Sequence, residues 1–161
     1  MIARETSVAL GSVLALCAWL GAAALTALVV APAAFSVLPS RTLAGALVGR
    51  VLPVLFWSGL AIGLAVAVGS WSAPRAPART AAALVMAAAC AIAQLVVAPR
   101  IQRIREQIGD GAVDALAPSD PLRQAFGRLH GMSVAWMGVA GIAAIVLVIL
   151  FARLLGPRST A

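Results

Sequence analysis

Of the chain's 161 residues, 63% are hydrophobic and 11% charged, against roughly 45–50% and 25% in soluble domains. A water-soluble fold of this length has too little interior to hide that much apolar surface, so lipid is the expected solvent. The net charge of +7 comes from Arg, since the chain has no Lys; there is no Tyr either, and Trp57, Trp71 and Trp136 lie in or beside apolar runs. The stacking aromatics that interleave with charge in nucleic-acid grooves are missing, so these Arg read as helix-end residues reaching lipid phosphates, with no nucleic-acid partner expected.

In chain order, residues 7–30 form the first apolar run, long enough to span a bilayer. A cleavable signal has a core of only about 7–15 residues, so this run reads as a permanent span, with Pro32 expected to end it. Leu14-Ala15-Leu16-Cys17 faintly resembles a lipoprotein cleavage site, but Leu16 stands where such sites carry a small residue. Residues 33–50 are expected to connect to a second span over 51–71, with Pro53 in its first turn, where no intrahelical N–H bond is lost.

The Pro-punctuated stretch 72–79 is a short turn, so the spans it joins lie side by side and antiparallel. The third span covers 80–98 and is expected to stop at Pro99. Residues 99–130 form the one strongly polar segment. There Ile101, Ile104 and Ile108 fall at helical spacing among Arg100, Arg103, Arg105 and Glu106, predicting an amphipathic extension at the interface. A solvated loop with Asp110, Asp114 and Asp120 follows, then the fourth span over 131–151, trailed by Arg153 and Arg158. The fold class is all-α: a single-domain, integral membrane four-helix bundle.

Two short matches point to duplication. Leu28-Val29-Val30-Ala31-Pro32 recurs as Leu95-Val96-Val97-Ala98-Pro99, and Gly49-Arg50-Val51-Leu52 is echoed by Gly127-Arg128-Leu129-His130. They sit in the same order at equivalent helix ends. The reading is two repeated helical hairpins related by an axis along the membrane normal, with Pro32 and Pro99 on one face and Arg50 and Arg128 as interfacial charges. An even number of spans puts both termini on one side. The short second turn and the C-terminal Arg favour cytoplasmic termini in a bacterial inner membrane, whereas the raw Arg count favours the opposite orientation.

Groups suited to chemistry are few. All five acids lie outside the spans, no nucleophile sits in a Gly-x-Ser-x-Gly setting, and no phosphate-cradling Gly loop occurs; no enzyme is expected. Cys17 and Cys90 stand in separate apolar runs as small apolar residues rather than a disulfide. His130, the single His, is the one candidate metal or haem ligand of its kind, with Met132 and Met137 near it; thioethers suit Cu(I), and a haem would need a second ligand such as Met or a second chain. Met86 and Cys90 share a face of the third span, and packing is the simpler reading of both. Gln94 is the most polar group at depth and is expected to make an interhelical hydrogen bond. Gly45/Gly49, Gly59/Gly63 and Gly127/Gly131 are all Gly-x-x-x-Gly pairs, of which Gly59/Gly63, well inside a span, is the foremost helix-packing face.

The sequence Pro32-Ala33-Ala34-Phe35, with Ala44-Gly45, Gly49-Arg50-Val51-Leu52-Pro53, Pro99-Arg100-Ile101, Phe126, Leu129-His130 and Ser133, resembles the transmembrane-protein-205-like family over nearly the whole chain. That resemblance implies a small four-span bundle built around a domain of unknown function, with suggested roles in metal or metallodrug resistance. It also implies a fold similar to copper-resistance and haem-linked membrane proteins. Where the family pattern places an amide a turn or two after the His, this chain has Trp136-Met137. Its lack of Lys departs from the haem-linked relatives, which pair a His with a Lys.

Two functional expectations follow. The first is a structural or accessory membrane subunit, homo-oligomeric or docked on a larger membrane assembly within the lipid bilayer. The second is a small metal- or haem-handling protein that uses His130.

Overall fold

In a computed structural model the described residues are 2–71, 77–109 and 112–155, with side chains described from Thr6 onward. The turn residues 72–76, Asp110, Arg158 and the side chains of Arg4 and Glu5 therefore lie outside what is described here. Helix α1 (Ile2–Leu25) leads through a π-turn (Thr26–Val30) into α2 (Ala31–Val37); α3 (Arg41–Trp71) follows. Then α4 (Pro77–Ile92) leads through a second π-turn (Ala93–Val97) into α5 (Ala98–Ile108), and α6 (Pro121–Leu155) closes the chain. Four continuous helices, Thr6–Val37, Arg41–Trp71, Pro77–Ile108 and Pro121–Leu155, are long and apolar enough to cross a membrane. This is an all-α four-helix membrane bundle, and no strand occurs among the described residues.

The prolines do not end the helices as expected. A proline inside a helix lacks an N–H and crowds the carbonyl four residues back. Here a wider turn absorbs both defects: the Ala31 N–H bonds the Thr26 carbonyl and the Ala98 N–H bonds the Ala93 carbonyl, each an i→i+5 bond just ahead of Pro32 or Pro99. Thr26 Oγ1 also donates to the Ala22 carbonyl at 2.8 Å, at the start of the first π-turn. The helix axis therefore continues, to Val37 in one hairpin and Ile108 in the other. The two halves carry the same device at the same place relative to their Ala-Pro pairs, and both prolines lie at the same end of the bundle.

The second and fourth helices also start earlier than expected, at Arg41 and Pro121. Ser40 Oγ accepts the Leu43 N–H at 3.2 Å, and Asp120 Oδ1 accepts those of Leu122 and Arg123 at 2.8 and 3.4 Å; these are side-chain N-caps just outside the membrane. Pro121 at the first helical position suits that start. Pro53 consequently sits in the interior of α3 rather than its first turn. At 1.5 Å per residue, the 31 residues of α3 and 35 of α6 span about 46 and 52 Å, against about 30 Å of hydrocarbon. That surplus is expected beyond the lipid at the polar end, where α2, the first turns of α3, α5 and the start of α6 form a collar.

Neighbours around the bundle follow chain order: α3 lies along α4, α4 along α6, α6 along α1, and α1 more loosely along α3. The core at mid-membrane is made of Leu16, Trp19, Phe56, Met86, Cys90 and Leu147, interleaved with Ala83, Ala89, Ala93, Ala140 and Ala144. Lipid supplies no hydrophobic drive between helices, so close packing of small residues holds them together. Gly59 and Gly63 are where this matters most. A Cβ on Gly59 would stand 2.7 Å from Cys90 Sγ and 2.8 Å from Trp19 Nε1, and one on Gly63 would stand 3.0 Å from the Ala83 carbonyl and from Ala87. The missing side chain at Gly59 lets the Trp19 indole cross α3 and donate to the buried Leu55 carbonyl at 2.9 Å.

Gly59→Ala is therefore expected to lower the unfolding free energy in mixed micelles by about 1–3 kcal/mol through overpacking. Gly69→Ala, whose Cβ would meet only Val8 at 3.9 Å, should be near neutral. Equal stability of the two variants would show that α1, α3 and α4 do not pack at Gly59.

Candidate functional site

At the collar one side chain joins three helices. Along α5 the apolar period turns Ile104 into the bundle and leaves Ile101 and Ile108 half-buried, which places Arg105 on the flank between α3 and α6. Gly45 and Gly49, one turn apart on α3, leave a trough in which the guanidinium lies. Cβ atoms on these glycines would stand 3.2 Å from Arg105 Nη2 and Nη1 respectively. Nη2 donates to the Gly45 carbonyl at 3.3 Å. On the other side the guanidinium carbon lies 5.7 Å from the centroid of the Phe126 ring. That ring lies parallel to the His130 imidazole, with centroids 6.2 Å apart and 5° between planes.

Arg105 is half-buried, and the one ion pair among the described residues is elsewhere, between Arg41 Nε and Asp114 Oδ2 at 3.2 Å. A guanidinium carries five N–H donors in a planar fork, and the Gly45 carbonyl occupies one. The site can therefore staple three helices and still present donors to an anion. The segment between α5 and α6 shapes its surroundings. Gly109, at φ +66°, ends α5 in a conformation that L side chains rarely adopt. Arg123 Nη1 donates to the carbonyls of Leu116 at 2.6 Å and Asp114 at 3.3 Å. The stretch expected to be a solvated loop is thus pinned to both α3 and α6.

The residues singled out from sequence are distributed differently. His130, Met132 and Met137 all ride on α6. His130 is exposed, Met132 is exposed on another face, and Met137 packs against the core. The helical screw puts His130 and Met137 about 10 Å apart along the axis and turns Met132 about 200° away from His130. One ion or one haem iron cannot be held by these three from a single chain. Among the described residues no three His, Cys, Asp or Glu side chains converge either. A resident metal or haem does not fit this set.

Arg50 and Arg128 are exposed, without an ion-pair partner among the described residues. Gln94 departs from expectation: its Oε1 is buried and meets no donor. Met86 and Cys90 are buried core residues. Arg105 itself was not singled out from sequence beyond its place in an amphipathic run. The available signal was the pair Gly45/Gly49, read as a helix-packing motif when it is a bed for an Arg side chain.

Residues 14–110 match the family described as Domain of unknown function (DUF4149). The chain belongs to this family. The matched region runs from within the first membrane helix to just past the third and includes Gly45, Gly49 and Arg105, whereas Phe126 and His130 lie beyond it. No curated protein and no solved structure matches the chain.

In this DUF4149 protein, Arg105→Ala is expected to cost about 1–2 kcal/mol of stability through the lost hydrogen bond and cation–π contact. It should also raise amide exchange over residues 41–49. Arg105→Lys should recover only part, because an ammonium lacks the planar fork. Unchanged exchange at 41–49 in Arg105→Ala would show that the contact with α3 carries no weight.

Proposed function

We propose that this chain is a non-enzymatic multi-pass membrane protein that acts as a structural or accessory subunit by self-association or by docking on a larger membrane assembly. The observation that carries the reading is the outer face of α6. Gly127, Gly131 and Gly138 fall on one stripe of that helix, opposite the buried Ser133, Ala140, Ala144 and Leu147, and nothing lies within 4 Å of where their Cβ atoms would be. A helix that faces only lipid gains from bulky side chains. A Gly stripe opens room for another backbone to approach closely. Gly59/Gly63 is consumed inside the chain, whereas Gly127/Gly131 is left open, which makes α6 the helix that receives a second copy. Within the DUF4149 family, the resemblance to the transmembrane-protein-205-like proteins is the finer placement we adopt.

Crosslinking and size measurement in a mild detergent should show an oligomer or a co-purifying membrane partner. Gly131→Leu with Gly138→Leu should convert it to a monomer without unfolding it, since both positions are open. A wild-type protein that is strictly monomeric and partner-free under gentle extraction would overturn the reading.

The orientation we propose has both termini cytoplasmic in a bacterial inner membrane. Its support is the short connection containing Arg75 and the terminal Arg153 and Arg158, since basic residues in short segments weigh most. A C-terminal green fluorescent protein fusion should then fluoresce and a C-terminal alkaline phosphatase fusion should be inactive. The reverse pattern would invert the orientation while leaving the bundle intact.

A further inference from the structure

On the outward face of the third membrane helix, at the second π-turn, lies an open groove of about 300 Å³ lined by Leu95, Val96, Pro99, Arg100 and Arg103. Its two ends differ in chemistry. Leu95 and Val96 are exposed and belong to the apolar run 80–98, so the lower walls stand at hydrocarbon depth. Arg100 and Arg103 follow immediately, where the helix leaves the lipid. Three residues apart on a helix, they are surface neighbours with Cβ atoms about 5–6 Å apart. Both are exposed, and neither has an ion-pair partner among the described residues; Glu106, one turn further on, is exposed and pairs with neither.

The geometry points to a binding site for an anionic diacyl phospholipid. Its phosphodiester lies between the two guanidiniums, and the upper part of an acyl chain lies along Leu95, Val96 and Pro99. Two like charges side by side at the membrane surface repel unless an anion bridges them. A phosphodiester presents two non-bridging oxygens to guanidinium forks, which bind such groups with charge-assisted hydrogen bonds. The apolar floor selects lipid over free phosphate, since a soluble anion gains nothing from Leu95 and Val96. Basic pockets beside membrane helices recognise anionic headgroups in this way.

The test uses the full chain in nanodiscs of phosphatidylcholine doped with a minor fraction of phosphatidylglycerol, with the lipid retained on the protein read by native mass spectrometry. Wild type should be enriched in phosphatidylglycerol. Arg100→Gln with Arg103→Gln should lower that enrichment by up to about 30-fold, given the usual contribution of each basic residue at an anionic surface. Val96→Trp keeps every charge and fills the recess, and it should also abolish the preference. Arg153→Gln, at the opposite end of the bundle, should leave it intact. All these positions are exposed, and an unchanged melting curve confirms folding. Loss in the double Arg variant with full retention in Val96→Trp would mean diffuse surface charge and overturn the site. Displacement of the retained lipid by inorganic phosphate would overturn the choice of lipid over free anion.

Discussion

In hydrocarbon, a backbone N–H or C=O without a partner has no water to turn to, so a chain that spans lipid must satisfy its own backbone along the helix. That constraint governs this protein because prolines stand in the paths of its helices. Pro32 and Pro99 each remove a donor and crowd a carbonyl, yet breaking the helix there would leave several groups unpaired near the bilayer surface. The i→i+5 bonds from Ala31 to Thr26 and from Ala98 to Ala93 resolve the conflict by widening one turn. Everything above the membrane depends on that solution. Because the helices continue, α2, the first turns of α3, α5 and the start of α6 stand together as a collar instead of lying flat at the interface.

Beneath the collar, the bundle is held by close approach rather than by apolar mass. Gly59 and Gly63 admit α4 and the Trp19 indole to the backbone of α3, and the indole N–H finds the Leu55 carbonyl. Alanines fill most of the remaining core. Such packing needs no charge pair at depth. The one strongly polar side chain there, Gln94, carries a buried amide oxygen without a donor, a group whose desolvation costs about 1–3 kcal/mol. It lies in a π-turn, a feature that recurs at functional positions.

The collar inverts this economy of charge. Here side chains are long and paired by geometry: Arg105 between Gly45 and Phe126, Phe126 on His130, Arg41 on Asp114, and Arg123 across the carbonyls of the connecting segment. Gly45, Gly49, Phe126 and His130, which carried the family resemblance, converge around Arg105. The outer faces tell a complementary story. An open Gly stripe on α6 and a cationic, apolar-floored groove on the third helix both look outward from the bundle.

Much of the architecture was legible from local properties. The length of an apolar run sets whether a helix can cross hydrocarbon, so four membrane-spanning helices could be read from the four apolar runs of the sequence. The recurring Leu-Val-Val-Ala-Pro likewise marked equivalent points, which the structure shows as equivalent π-turns. Properties that depend on neighbours were not legible. Whether Pro32 and Pro99 end a helix or are absorbed depends on the turn that precedes them and on the packing that keeps the axis straight. Gly59/Gly63 and Gly127/Gly131 are the same motif, yet one is buried and the other open, because rotation about a helix axis is set by the partners it meets. Gln94 lacks its expected bond for the same reason. Arg105 meets Gly45 across sixty residues of sequence, a contact created only when α3, α5 and α6 stand side by side.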